Sequence, residues 1–199
     1  MRYDSEHKER TRRRVLNEAA AAIRAVGPGG IGVAGLMAKA GLTHGAFYAH
    51  FESKDDLVAQ AVAQMFDESY QRFLARTEHP DPAVAIAKFI DTYLSTRHRD
   101  HPEQGCPLPS LAGELARLPG AARENFAAGL RLLTTSMAKR IRELGREDAD
   151  GLAASIIAEM VGALALSRSV AGTPAADAIL ESSRKSIKSR AGISTELAG

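Results

Sequence analysis

At 199 residues the chain is long enough to bury a core, as one large domain or two small ones. Its 26 Lys and Arg nearly balance 24 Asp and Glu, so the net charge of +2 alone points to no polyanion partner. A single cysteine excludes an intramolecular disulfide framework and the usual multi-cysteine zinc sites. Charge is unevenly distributed, however. Residues 1–54 hold nine basic against five acidic residues, while the remainder has a surplus of two acidic ones, a basic head on a mildly acidic body.

Apolar residues recur at three- and four-residue spacing, and no long segment alternates with period two. This predicts an all-α chain of about nine helices. The first spans about 5–26, with Val15, Ala19, Ala22, Ile23 and Val26 as its buried stripe and Arg10 and Arg12 to Arg14 near its exposed start. Gly27-Pro28-Gly29-Gly30 stops it. Two short helices follow, over about 33–40 and 44–50. A fourth opens at the N-cap Ser53, with Asp56 at the third helical position as an acidic variant of the capping box, and runs through Leu57, Ala61 and Met65 to about 76. His79-Pro80-Asp81-Pro82 marks a break. A fifth helix covers about 83–97, with Ile86, Phe89, Ile90 and Tyr93 on its apolar face, and a polar loop over 97–105 carries His98, His101 and Glu103. The segment CPLPSLAGELARL becomes helical, and further helices cover about 121–144, 147–170 and 175–190 before a frayed tail over 191–199.

The stretch VAGLMAKAGLTHGAFYAHFESKDDL, Val33 to Leu57, reads as two short helices joined by a glycine turn. Leu36, Met37 and Ala40 form the inner face of the first, Gly41 ends it in a left-handed conformation, and Leu42 plugs the corner. Thr43 can cap the second helix through its side chain, and Phe47 and Phe51, four apart, anchor that helix inward. This is the layout of a helix-turn-helix, whose second helix enters the major groove of DNA. At about 100° per residue, the face opposite Phe47 and Phe51 centres on Gly45 and Ala49, with Ala46 and Tyr48 on its flanks. Small residues there let the backbone approach base edges, and Tyr48 can offer its hydroxyl to a phosphate. Thr43 and His44 sit at the probing end, His50 falls nearer the protein side, and Lys54 opens the next helix, where its charge and the free N–H groups can meet a phosphate.

Residues 15–57 resemble the DNA-binding domain of TetR/AcrR-type regulators. The resemblance rests on the helix-one stripe, the glycine break and above all A-K-A-G-L-T-H-G-A-F-Y-A-H-F-E-S-K-D-D-L. It covers about a quarter of the chain and implies that Thr43, His44, Gly45, Tyr48 and Lys54 take DNA-facing positions; Ala49 and Arg13 join them on the grounds of face and charge. Two departures bear on how this chain reads DNA. Gly32 precedes Val33 where the family often has Ser or Thr, and the second helix lacks Arg, Asn and Gln, so bidentate base readout is not available from it. The resemblance divides the chain into a DNA-binding domain over 1–53 and an effector-binding and dimerisation domain over 54–199. It implies a homodimer on a near-palindromic, double-stranded operator and a repressor released by a small-molecule effector.

Ile156, Ile157, Met160, Val161, Leu164 and Leu166 make a helix apolar over more than one face, one that needs burial against its own domain and against a partner, with Ala178, Ile179 and Ile187 completing the interface. Candidate effector-pocket walls are Phe89, Tyr93, Cys106, Phe126, Leu130, Met137 and Met160, each of which also reads as ordinary core. Cys106, in Gly105-Cys106-Pro107-Leu108-Pro109 at a helix start, admits a second reading as a sensor of electrophiles or oxidants, beside the simpler one of a small buried residue. No cluster has metal-ligand spacing and no cofactor motif is present. His98 and His101 near Cys106 lack the base-orienter arrangement of an enzyme, so the expectation is a regulator and not a catalyst. MRYDSEHKERTRRR has no apolar core and so predicts no secretory signal, and the apolar run from Ile156 to Leu166, interrupted by Glu159, is too short to cross a bilayer. The expected setting is cytoplasmic, with no membrane partner.

Overall fold

A computed structural model describes residues 2–193. Of the expected frayed tail, residues 194–199 lie outside the described residues. All regular secondary structure in the described residues is helical, with nine α-helices, short 3₁₀ segments and no strand. In chain order these are α1 (Arg2–Val26), α2 (Val33–Lys39), α3 (Lys54–Arg76), α4 (Pro82–Tyr93), α5 (Thr96–Asp100), α6 (Leu108–Leu111), α7 (Gly120–Arg142), α8 (Ala149–Ser169) and α9 (Pro174–Ala191). The chain forms two compact units: Met1–Glu68 with Pro102–Ala128, and Ser69–His101 with Gly129–Gly199.

In the first unit, Val15, Ala19 and Ile23 of α1 are fully buried, as their spacing predicts. Val26 is not: it is 65% exposed, because Gly27, at φ +75°, turns the chain away one residue later. Arg24 is buried in its place. Its guanidinium meets Glu68 of α3 at 2.6 Å, and its carbonyl accepts the Ser110 hydroxyl of α6 at 2.8 Å. Ser53 caps α3 through its hydroxyl, which accepts Asp56 N–H at 3.0 Å, and Asp56 in return accepts the Glu52 N–H at 3.1 Å. The capping box therefore forms, with its return bond reaching one residue further back than the usual pattern.

The second unit is built on α8 and α9, joined by a four-residue link, with α4 packed against α9. Ile156, Met160, Leu164 and Ile187 are fully buried within it. By length and composition α8 is long and apolar enough to cross a bilayer, a longer run than 156–166 alone suggests. One face of it, with Ile156, Met160 and Leu164, is buried in the unit's own core, and Asp150, Glu159 and Arg168 interrupt the apolar run.

The expected single helix over 83–97 breaks in two. Leu94 leaves α4, and Ser95 starts α5 afresh by accepting the His98 N–H on its hydroxyl at 3.2 Å. A serine side chain offers the backbone an alternative to the helical bond, which is why the apolar periodicity overran the true end. The expected polar loop is accordingly part helix, and His98 is not solvent-facing. Its Nδ1–H donates to the Tyr93 carbonyl at 2.7 Å and its ring stands edge-on to Tyr93 at 4.7 Å.

Lys188 is buried in this unit and pairs with Asp91 of α4 at 2.7 Å. Removing one partner of such a pair strands a buried charge. Asp91→Ala is expected to lower unfolding stability in urea by about 3 kcal/mol, whereas Lys188→Met combined with Asp91→Leu stays within about 1 kcal/mol of the unsubstituted chain. Burial also pushes the His98 pKa from 6.5 down to about 4, with Arg168, Arg76 and Arg72 adding to the effect against the bond to Tyr93. The unfolded chain therefore binds more protons than the folded one between those values, and this contribution is complete above pH 6.5 and lost as pH falls toward 4. Between pH 7 and pH 5 the unsubstituted chain is expected to lose about 2 kcal/mol more than His98→Gln, read from urea unfolding at each pH.

Candidate nucleic-acid interface

Gly41 ends the turn after α2 at φ +68°, a conformation that favours glycine, and Leu42 N–H closes the turn on the Met37 carbonyl at 2.9 Å. The following segment, His44–Ala49, is a six-residue 3₁₀ helix where an α-helix was expected. Ala46 N–H donates to the Thr43 carbonyl and His50 N–H to the Phe47 carbonyl. The tighter i→i+3 bonds close the segment within two turns. Thr43 is the N-cap, but its side chain makes no capping bond; the backbone carbonyl does that work.

The change of helix type does not alter which side is buried. Phe47 and Phe51 are 1% and 2% exposed, with ring centroids 5.5 Å apart. Tyr48 is 70% exposed and lies edge-on to Phe47 at 5.2 Å. Thr43, His44, Gly45, Ala49, Lys54 and Arg13 are also exposed. The residues expected to face DNA thus share the solvent side of this unit, and no side chain lies within 4 Å of the position a Gly45 Cβ would take.

Beside this segment opens a cleft of about 390 Å³, lined among others by Arg12, Tyr48, His50, Glu52, Asp56 and Gln60. Arg12 stands 5.5 Å over the Phe51 ring and donates to Gln60, whose amide in turn donates to Asp56 at 2.7 Å. A chain of polar groups therefore ties the cap of α3 to α1 across the base of the recognition segment. Arg12 and Gln60 were absent from the sequence-derived site; 48 residues separate them, and no local pattern could pair them. His50 is half-buried, with its buried Nδ1 unpartnered. Burial lowers its pKa, Lys8 and Arg12 lower it further, and Glu9 opposes them.

The candidate effector-pocket residues divide between the units. Phe89, Tyr93, Met137 and Met160 are buried and Leu130 half-buried in the second, where Phe89 packs on Phe73 at 4.9 Å and on Tyr93 at 5.9 Å. Cys106 and Phe126 are buried in the first, where Phe126 stands edge-on to Phe66 at 5.4 Å. Cys106 is 7% exposed and precedes Pro107, the N-cap of α6. Among the described residues no group of three or more His, Cys, Asp or Glu is placed to hold a metal ion.

Residues 15–61 match the family described as bacterial regulatory proteins, tetR family, and residues 82–182 match the tetracyclin repressor-like C-terminal domain. No curated protein matches the chain in sequence. Among solved structures, a TetR transcriptional regulator from Chloroflexus aurantiacus J-10-FL is 27% identical with a TM-score of 0.80, covering 92% of this chain and 95% of that one. A TetR-family regulator from Agrobacterium tumefaciens is 23% identical with a TM-score of 0.77, covering 90% and 98%. A putative transcriptional regulator from Saccharomonospora viridis, solved in complex with choline, is 20% identical with a TM-score of 0.76, covering 90% and 96%. The C-terminal match alone takes in half of the chain, the N-terminal match contains the helix-turn-helix, and the chain belongs to the TetR family as a DNA-binding transcriptional regulator.

Proposed function

We propose that the chain is a homodimeric repressor, not an enzyme, that leaves a near-palindromic operator when a small molecule binds it. Residues 1–53 act as the reading head and 54–199 as the effector and dimerisation region, in a cytoplasmic setting. The observation that carries the DNA-facing assignment is the exposed surface of Thr43, His44, Gly45, Tyr48 and Ala49 opposite the buried Phe47 and Phe51. Glycine and alanine allow close approach of the backbone to base edges, while Thr43, His44 and Tyr48 supply side-chain contacts and Arg13 and Lys54 supply charge. With no Arg, Asn or Gln in the segment, specificity depends on groove shape and on the spacing of two heads, about 34–36 Å for successive turns of one groove.

Pairing across a twofold axis would use α8. Ala154 and Ala158 are exposed, Val161, Gly162 and Ala165 half-buried, and Leu166 is 60% exposed, which leaves a shallow apolar face. Of the α9 residues expected at that interface, Ala178 is exposed and Ile179 half-buried, while Ile187 is buried in the chain's own core. The effector site is assigned to the second unit, with Phe89, Tyr93, Leu130, Met137 and Met160 as its walls. A ligand there releases DNA only by binding the DNA-incompetent conformation more tightly, and DNA weakens the ligand by the same factor.

On a duplex carrying the DNA upstream of the chain's own gene, anisotropy titration at moderate salt is expected to show saturable, sequence-preferring binding. Ala49→Arg, which fills the close-approach face, is expected to weaken that binding more than His50→Ala; the reverse order would sink the assignment of Gly45 and Ala49 to the groove. In sedimentation, the unsubstituted chain is expected as a dimer and Ala158→Glu, which puts a carboxylate on the pairing face, as a monomer.

A further inference from the structure

The arginines clustered in the middle of α1, Arg10 and Arg12 to Arg14, do not share one environment. Arg12 is committed inward, to Gln60 and the face of Phe51, with Glu9 4.0 Å away. Arg14 is exposed and makes no salt bridge among the described residues. Its guanidinium reaches instead to the turn of the helix-turn-helix, where a Cβ on Gly41 would stand 3.8 Å from its Nη2. Exposed Lys39 lies two residues before that turn, and exposed Thr43, whose hydroxyl makes no capping bond, two residues after it.

We propose that Arg14, lying beside the Gly41 turn, is a DNA-backbone contact that seats a phosphodiester against the turn. A guanidinium presents a planar fork of N–H donors that matches two phosphate oxygens, and here none of those donors is spent on a carboxylate. Arg12 forms no part of this seat, because Gln60 and Phe51 already hold it. The inference rests on the DNA-facing assignment of the helix-turn-helix and adds a residue to it, beside the Gly41 turn.

The test is the salt dependence of binding to a 30-base-pair duplex of mixed sequence, which reads backbone contacts without requiring the operator. Each lost phosphate contact lowers the slope of log affinity against log salt by about 0.9, so the fall in affinity between 50 and 200 mM salt shrinks about 3.5-fold per bound chain. Arg14→Gln is expected to show that loss, Arg14→Lys to keep the slope, and Arg146→Gln, on a guanidinium paired with Asp148 in the second unit, to match the unsubstituted chain. An unchanged slope for Arg14→Gln overturns the proposal, even where affinity falls, because an altered affinity at constant slope marks a positioning effect. If that slope holds while Lys54→Gln lowers it, only Arg14 is excluded from the interface. If the unsubstituted chain binds the duplex with no salt dependence, the DNA-facing assignment fails together with the proposal.

Discussion

The reading surface depends on one inward-facing contact, the stack of Phe47 and Phe51 with Arg12 laid over the second ring. Six residues of helix cannot hold their own shape in water, because nucleation costs more than so few hydrogen bonds return. Burial supplies the difference. Each buried phenylalanine contributes roughly 1.5–3 kcal/mol, and the ring pair adds about 0.5–1.5 kcal/mol beyond that. With the rings fixed, the backbone between them is fixed, and Tyr48 and Ala49 face outward, Tyr48 edge-on to Phe47. The arginine cover is held in turn by Gln60 and Asp56, so the cap of α3 and the orientation of the segment form one connected structure.

Arginine has a different task in the second unit. Helix C-termini leave carbonyls without partners, and the helix dipole makes those ends negative. Arg140 donates to the Thr77 and His79 carbonyls beyond α3, Arg184 to that of Leu94 at the end of α4, and Arg168 to those of His98 and Arg99 in α5. Three guanidiniums thus take up carbonyls just beyond α3, at the end of α4 and within α5. Together with the buried Lys188–Asp91 pair, these bonds join α4 and α5 to α8 and α9 through polar contacts of defined geometry. Much of the chain's positive charge is therefore structural, and the near-neutral total conceals two populations of cations with separate purposes.

The head combines a low-charge centre with a charged margin. Gly45, Ala46 and Ala49 carry no functional group, whereas Arg13, Arg14, Lys39 and Lys54 are exposed on the same unit. Backbone charge contributes affinity for any duplex, and sequence preference must arise from fit. On the proposed function, such a head would discriminate through groove width and through the spacing of two heads on one duplex.

Periodicity and turn chemistry were enough to determine the all-α class, the glycine turn at Gly41, the cap at Ser53 and the inward pair Phe47 and Phe51. Each of these leaves a mark in spacings of three or four positions, so a local reading of the sequence finds it. The sequence also carried the family, because the run from Ala38 to Leu57 packs several such local requirements into one pattern. Only the tertiary structure decided which arginines are free. Arg12 and Arg14 stand two positions apart in the same basic run, and Gln60 and Gly41, far along the chain, assign them opposite environments. The same holds for Arg24 and His98, polar residues drawn inside by Glu68 and by the Tyr93 carbonyl, and for Val26, expelled by the turn that follows it. Burial is a property of what packs against a residue, and that partner is chosen by the fold, beyond the reach of local sequence.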